Sequence, residues 1–201
     1  MTCYMAGFFM STYHVRHLSS VDFSKAELLS DFTFPWIDRA PPKTEFRAIH
    51  DGATFHFQFE VDDDDIVLGE TIDSDRVELF IAIDEKLSPY YGFEMSPDGS
   101  VLDYRAEFHR KFDFEWTLTD WKTEGEVFEG GYRVTGSVPL KVLRALECLR
   151  LDNTMMAGAY RAEFSHGENG EIIQDWMSWI DPKTETPDFH LPTSLGKFVF
   201  E

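Results

Sequence analysis

The stretch Asp75-Arg76-Val77-Glu78-Leu79-Phe80-Ile81-Ala82-Ile83-Asp84 decides the fold. Val77, Leu79, Ile81 and Ile83 alternate with Arg76, Glu78, Phe80 and Ala82, and this period of two predicts a β-strand with one strongly apolar face. The opposite face sets a carboxylate, Glu78, beside the ring of Phe80. Asp73-Ser74-Asp75 before the strand and Asp84-Glu85-Lys86 after it supply turn chemistry at both ends. The stretch reads as a central strand of a β-sandwich with Glu78 on the functional face. The plainer reading is an edge strand whose Glu78 pairs with an arginine.

Outward from this strand the alternation continues. Phe55, Phe57, Phe59 and Val61 face one way and His56, Gln58 and Glu60 the other, and Asp51-Gly52 turns the chain between this strand and Phe46 to Ile49. Tyr90 to Met95 and Val101 to His109 flank the turn Ser96-Pro97-Asp98-Gly99, and Lys111 to Leu118 follows. Glu126 to Phe128 and Tyr132 to Val138 flank Gly130-Gly131. Thr154 to Phe164 and Glu171 to Ile180 form a further hairpin, and Gly196 to Phe200 is a closing strand. The one helix expected runs from Pro139 to Glu147, with proline in its first turn. About ten short strands with closely spaced turns predict an all-β chain, an antiparallel two-sheet β-sandwich with one short helix. Residues 1–33 are expected to form an N-terminal arm or edge strand, and 34–201 the sandwich, within a single domain of 201 residues.

The chain is 43% hydrophobic and carries 19 Phe, 7 Tyr and 5 Trp, enough for a large aromatic core. A formal net charge of -19 argues against nucleic acid and anionic membrane surfaces, which need a basic patch. It suits neutral or cationic ligands, calcium, or simple solubility. Cys3 and Cys148 alone do not imply a disulfide framework. The apolar run Met5 to Met10 is too short for a signal core, and no later run is long enough for a membrane span. Cytoplasmic residence is therefore the default expectation, and a mature secreted chain would look the same. Asp62 to Asp65 places four carboxylates in one connection; it can ligate calcium, but lacks the spacing and central glycine of an EF-hand loop and reads as a solvated acidic turn.

Tyr104-Arg105-Ala106-Glu107-Phe108 recurs as Tyr160-Arg161-Ala162-Glu163-Phe164. On one sheet, the two strands would project Arg105, Glu107, Arg161 and Glu163 as a polar ladder. A five-residue echo is too short to mark a tandem repeat.

The tail Asp175-Trp176-Met177-Ser178-Trp179-Ile180-Asp181-Pro182, with Pro187-Asp188-Phe189-His190-Leu191-Pro192 and Leu195-Gly196, resembles the carbohydrate-binding module family 9-like domains. Asp75 to Glu78, Phe93 to Gly99, Val138-Pro139-Leu140 and Tyr160-Arg161 agree in order and spacing, so the resemblance covers roughly Phe34 to Glu201. It implies a β-sandwich that binds oligo- or polysaccharide such as xylan or glucan ends, with structural calcium. It also implies two aromatic rings that sandwich a sugar, with carboxylate, amide and arginine groups on its hydroxyls. That chemistry suits a pyranose, which offers apolar C–H faces to a ring and hydroxyls to polar groups. Carried over residue by residue, the resemblance places the carboxylate at Glu78 and the tail ring at Phe189, with Trp179 close by. An arginine and an amide fall near Glu94 and Ser96, and a second ring falls near Ile72, where none exists; Trp36 or Trp121 can stand in for it. The candidate ligand-binding set is Glu78, Glu94, Arg105, Arg161, Glu163, Trp179 and Phe189. Trp176, outside this set, takes the face opposite to Trp179 and is expected in the core, Trp179 is expected partly exposed, and Arg161 either at the ligand or paired to Glu78. His190 is expected to fix a loop.

Two rival readings stand beside noncatalytic binding. A glycoside hydrolase needs two carboxyls about 5–9.5 Å apart, and Glu78, Glu94, Glu107 and Glu163 are candidates. A haem-binding sandwich would use methionine, with Met95, Met155, Met156 and Met177 available.

Overall fold

The structure is a computed structural model, which describes residues 10–69 and 73–201. Among these residues there are twelve strands: β1 (Thr12–His17), β2 (Thr44–His50), β3 (Thr54–Asp62), β4 (Arg76–Ala82), β5 (Tyr90–Met95), β6 (Val101–Glu107), β7 (Lys111–Asp113), β8 (Lys122–Phe128), β9 (Gly131–Pro139), β10 (Thr154–His166), β11 (Ile172–Ser178) and β12 (Gly196–Phe200). The single α-helix among the described residues, α1 (Leu140–Ala145), starts directly after Pro139 and buries Leu143. The all-β class, the central position of β4 and every expected hairpin are present.

The two separate sheets of a sandwich are not. Hydrogen bonding runs unbroken in the order β7-β6-β5-β4-β10-β12-β1-β2-β3-β9-β8, with β11 added beside β10. The sheet curls so that its halves face each other across one core: Phe46, Phe57 and Phe59 of one half pack in the same cluster as Val77, Leu79, Ile81 and Phe93 of the other. The join is β1, which is not an edge strand. Its first four residues pair in parallel with β12, and its last two pair in parallel with β2. Tyr13 and Val15 anchor it in the core. The buried Tyr13 hydroxyl donates to the Glu27 carbonyl at 2.7 Å and accepts from the Ala48 amide at 2.6 Å.

Local sequence explains the turns. Gly52 adopts φ +93°, which glycine alone reaches without strain. Asp51 accepts from the amides of Ala53 and Thr54 at 2.9 and 2.7 Å, closing the β2–β3 hairpin. Aromatic rings fill the interior. Trp121, proposed above as a ligand ring, is a core residue, lying flat on Phe93 with centroids 3.7 Å apart and planes 6° from parallel. Met95, Met155 and Met177 are buried in the same core, and Met156 in a second cluster on the outer face.

Phe93→Ala removes the partner of Trp121 and leaves a cavity between the halves. It is expected to lower unfolding stability by about 3–5 kcal/mol, read from chemical denaturation.

Candidate functional site

The β4 register builds the site. Pairing sets Glu78 opposite Glu94 of β5 and Tyr160 of β10, Phe80 opposite Gly92, and Arg76 opposite Ala162, which in turn faces Trp176 of β11. These residues share the outer face, while Val77, Leu79 and Ile81 point into the core. Much of that outer face is covered as well. Phe80, Tyr90, Tyr104, Tyr160, Phe189 and Leu195 form a second apolar cluster, capped by the loop 181–195.

The cap is pinned by rings and hydrogen bonds. Phe189 stacks on Tyr160 at 4.3 Å, and His190 on Phe80 at 5.1 Å. His190 Nδ1 pairs with the Tyr90 hydroxyl at 2.9 Å, and burial and the nearby Arg110 push its pKa down to about 3, so the ring is neutral. His190 thus fixes the loop, as expected. Asp188 ties the cap to the end of β6 and start of β7: its carboxylate meets His109 Nε2 at 2.7 Å and Arg110 at 3.0 Å, and accepts from the His190 amide at 2.9 Å. Burial opposes its charge, yet these partners hold its carboxyl below the usual range.

Where the cap stops, a pocket of about 390 Å³ opens. Trp176 and Phe189, 6.0 Å apart and edge to face, belong to one side; Phe112 and Phe114, stacked at 5.2 Å, come from the β7 side. Arg76, Glu78, Glu94 and Tyr104 supply its polar lining, with Arg110, Asp188 and Asp73 also present. Arg76 Nε lies 2.9 Å from Glu78 and 2.8 Å from Glu94, and its guanidinium sits 5.4 Å from the Trp176 ring centroid. Glu78 is 2% exposed, and burial, reinforced by Glu94 and partly offset by Arg76, pushes its carboxyl up to about 8. Burial raises Glu94 as well, against the pull of Arg76. A flat aromatic wall beside hydrogen-bonding groups can hold a ring-shaped polar ligand by its two kinds of surface.

Of the sequence candidates, Glu78, Glu94 and Phe189 meet at this pocket. Phe189 is only 6% exposed, but its ring still forms wall. The others lie elsewhere. Trp179 is 7% exposed, packs against Phe198, and covers Gly196 so closely that an added Cβ would lie 2.5 Å from its ring. Trp176 takes the exposed role instead. Arg161 is opposite Val77, not Glu78, and therefore points away from the pocket. It is fully buried against Asp63 at 2.9 Å, so the arginine partner of Glu78 is Arg76. Glu163 lies 3.8 Å from Arg161 and 3.7 Å from Arg39. Arg105 is opposite Tyr91 and pairs with Glu107 at 3.2 Å. The expected ladder does not form, because β5 and β4 stand between the two echoed strands and the register offsets them.

Trp36 donates to the Thr184 carbonyl at 3.0 Å and packs behind Phe189 at 5.6 Å rather than lining the pocket. The position near Ile72 lies outside the described residues, as does Cys3. The four methionines considered for haem do not line the pocket. The acidic run does not fit a calcium site: Asp63 is held by Arg161 and Asp65 by His166 at 2.8 Å, and the described residues contain no group of three or more His, Cys, Asp or Glu able to hold a metal. No described helix is long and apolar enough to cross a membrane.

Sequence reasoning missed Arg76, Tyr104, Phe112, Phe114 and the role of Trp176. Arg76 was within reach, since it stands two residues before Glu78 and so shares its face.

The architecture is that of solved carbohydrate-binding proteins. A putative carbohydrate-binding protein from Bacteroides uniformis superposes with TM-score 0.71 at 18% identity, covering 96% of this chain and 100% of that one. A carbohydrate binding module family 9 from Caldicellulosiruptor kristjanssonii, solved with glucose, gives 0.62 at 14% identity over 95% and 96% of the two chains. The module from that organism solved with cellotriose gives 0.65 at 13% over 95% and 94%. No curated protein matches the chain significantly in sequence. The carbohydrate family 9 binding domain-like family matches residues 22–201, and the chain belongs to it.

The buried carboxyls make stability depend on pH. Asp75 accepts from the amides of Val67 and Phe164, and burial pushes its carboxyl up to about 7. Asp75, Glu78 and Glu94 hold protons in the folded chain where the unfolded chain has released them. Their contribution is full below the ordinary carboxylate pKa of about 4 and is lost as pH rises through the folded values. The thermal midpoint is expected to fall between about pH 4 and pH 8. Glu94→Gln, which removes the repulsion on Glu78, should flatten part of that fall in a melting series.

Proposed function

We propose that this chain binds carbohydrate without chemistry of its own, in the pocket on the outer face of β4, β5 and β6. The observation that carries the reading is the joining of Trp176, Phe189, Phe112 and Phe114 to a buried polar floor of Arg76, Glu78 and Glu94. Family membership supports it, as do the modules of the same fold solved with glucose and cellotriose. The volume suits a short oligosaccharide end rather than a long groove-bound polymer, so chain ends of β-glucan or xylan are the proposed ligands. Trp176 offers its ring to the sugar's C–H face, and the Glu78 and Glu94 oxygens accept from hydroxyls.

A hydrolase would need one carboxyl as acid and another as base or nucleophile. Here both candidates clasp one guanidinium, which favours holding a ligand over attacking one.

A glycan array followed by calorimetry tests the proposal. Trp176→Ala is expected to weaken binding of a responding oligosaccharide about tenfold or more, with a smaller loss of melting temperature than a core substitution because this ring is only partly buried. Gly92→Ala should also weaken it: the new methyl would overlap the Tyr104 ring and drive it toward the pocket. Release of reducing sugar from xylan or β-glucan, abolished by Glu78→Gln, would overturn the noncatalytic reading. An array with no response would overturn the binding reading.

A further inference from the structure

The floor of the pocket carries more negative charge than its own cation answers. Glu78 and Glu94 are directly opposite on neighbouring strands, and both reach the same Nε atom of Arg76. Their side chains are 2% and 11% exposed. The pocket's other arginine is committed elsewhere, since Arg110 holds Asp188 at 3.0 Å. Asp73 adds a further carboxylate to the lining. Glu94 Oε2 has only the Arg76 Nε contact at 2.8 Å, and the buried Tyr104 hydroxyl lies against the same carboxyl. Two carboxylates this close in a low-dielectric site do not both ionise around one guanidinium; they retain a proton between them.

We infer that the pocket selects a sugar bearing a basic amino group, whose ammonium replaces the proton shared by Glu78 and Glu94. The inference rests on the carbohydrate reading above. An ammonium carries three donors, which match the Glu78 and Glu94 carboxyl groups and the Tyr104 oxygen. The ligand enters with its positive charge, and the carboxyl pair releases one proton to solvent, so the floor gains no net charge. The wall is suited to a cation as well: Trp176 already lies 5.4 Å from the Arg76 guanidinium. An acetylated amine lacks the charge, and a uronic acid would add a carboxylate to a site already in excess of them.

The experiment is calorimetry at neutral pH with β-1,4-linked trimers of glucose, glucosamine and N-acetylglucosamine, in two buffers of different ionisation enthalpy. The glucosamine trimer is expected to bind about tenfold more tightly than the glucose trimer, as one charge-assisted hydrogen bond allows, and to release a proton. The acetylated trimer should gain nothing over glucose. Glu94→Gln should abolish both the preference and the proton release; should that variant fail to fold, the trimer and buffer comparison on the unaltered chain decides alone. Trilysine is the control for attraction to the net charge of -19. If it binds as tightly as the glucosamine trimer, the inference is overturned. Equal affinity for the glucose and glucosamine trimers also overturns it while leaving carbohydrate binding intact. Binding of no trimer overturns both.

Discussion

A strand buried on both faces must satisfy both, and β4 does so in two different ways. Toward the core it offers Val77, Leu79 and Ile81, which need only dispersion contacts and exclusion from water. Outward it carries Arg76, Glu78 and Phe80. Burying an ion costs several kcal/mol unless a partner answers it, so the arginine and glutamate sit two apart on one face, and β5 adds Glu94 to the same guanidinium. Phe80 can be covered by an apolar cap, and His190 and Tyr160 cover it. The carboxylates cannot be covered in that way. The cap ends beside them, and the pocket lies at that boundary.

The pocket therefore depends on residues far apart in the chain. Gly92 has no Cβ, which lets the Tyr104 ring from β6 lie flat across the sheet; Gly158 does the same for Tyr160. Flat rings keep the surface low enough for the loop 181–195 to lie on it and bring Phe189 beside Trp176. Asp188 then fastens that loop to His109 and Arg110, so one carboxylate sets the spacing between the Phe189 side and the Phe112 side. The site is thus a product of sheet register and loop docking together.

Alternation was enough to find β4, its apolar face and Glu78, because a period of two is a local property. It was enough, too, to say that Trp176 and Trp179 take opposite sides. It does not say which side is core, and that depends on whether β10 is paired so that Ser178 meets Tyr160. The assignment of the two tryptophans was reversed for that reason. Arg161 shows the same limit: register places Tyr160, and not Arg161, beside Glu78. A repeated pentapeptide predicted one polar ladder, but nothing local reports that two strands intervene. The single continuous sheet was hidden because the parallel pairing of β1 joins segments almost a chain length apart.

That seam has a consequence for synthesis. The two halves of the sheet are joined through β1, and β1 pairs with β12, which ends at Phe200. A chain emerging from the ribosome can form the β2–β3 hairpin early, since its strands are neighbours in sequence. It cannot seat the Thr12 to Val15 part of β1 until β12 has been made. Tyr13 and Val15 gain their β12 neighbours only after the intervening strands have been made. Closure over so long a separation is entropically costly and slow, and until β12 is made the sheet keeps an unfinished edge.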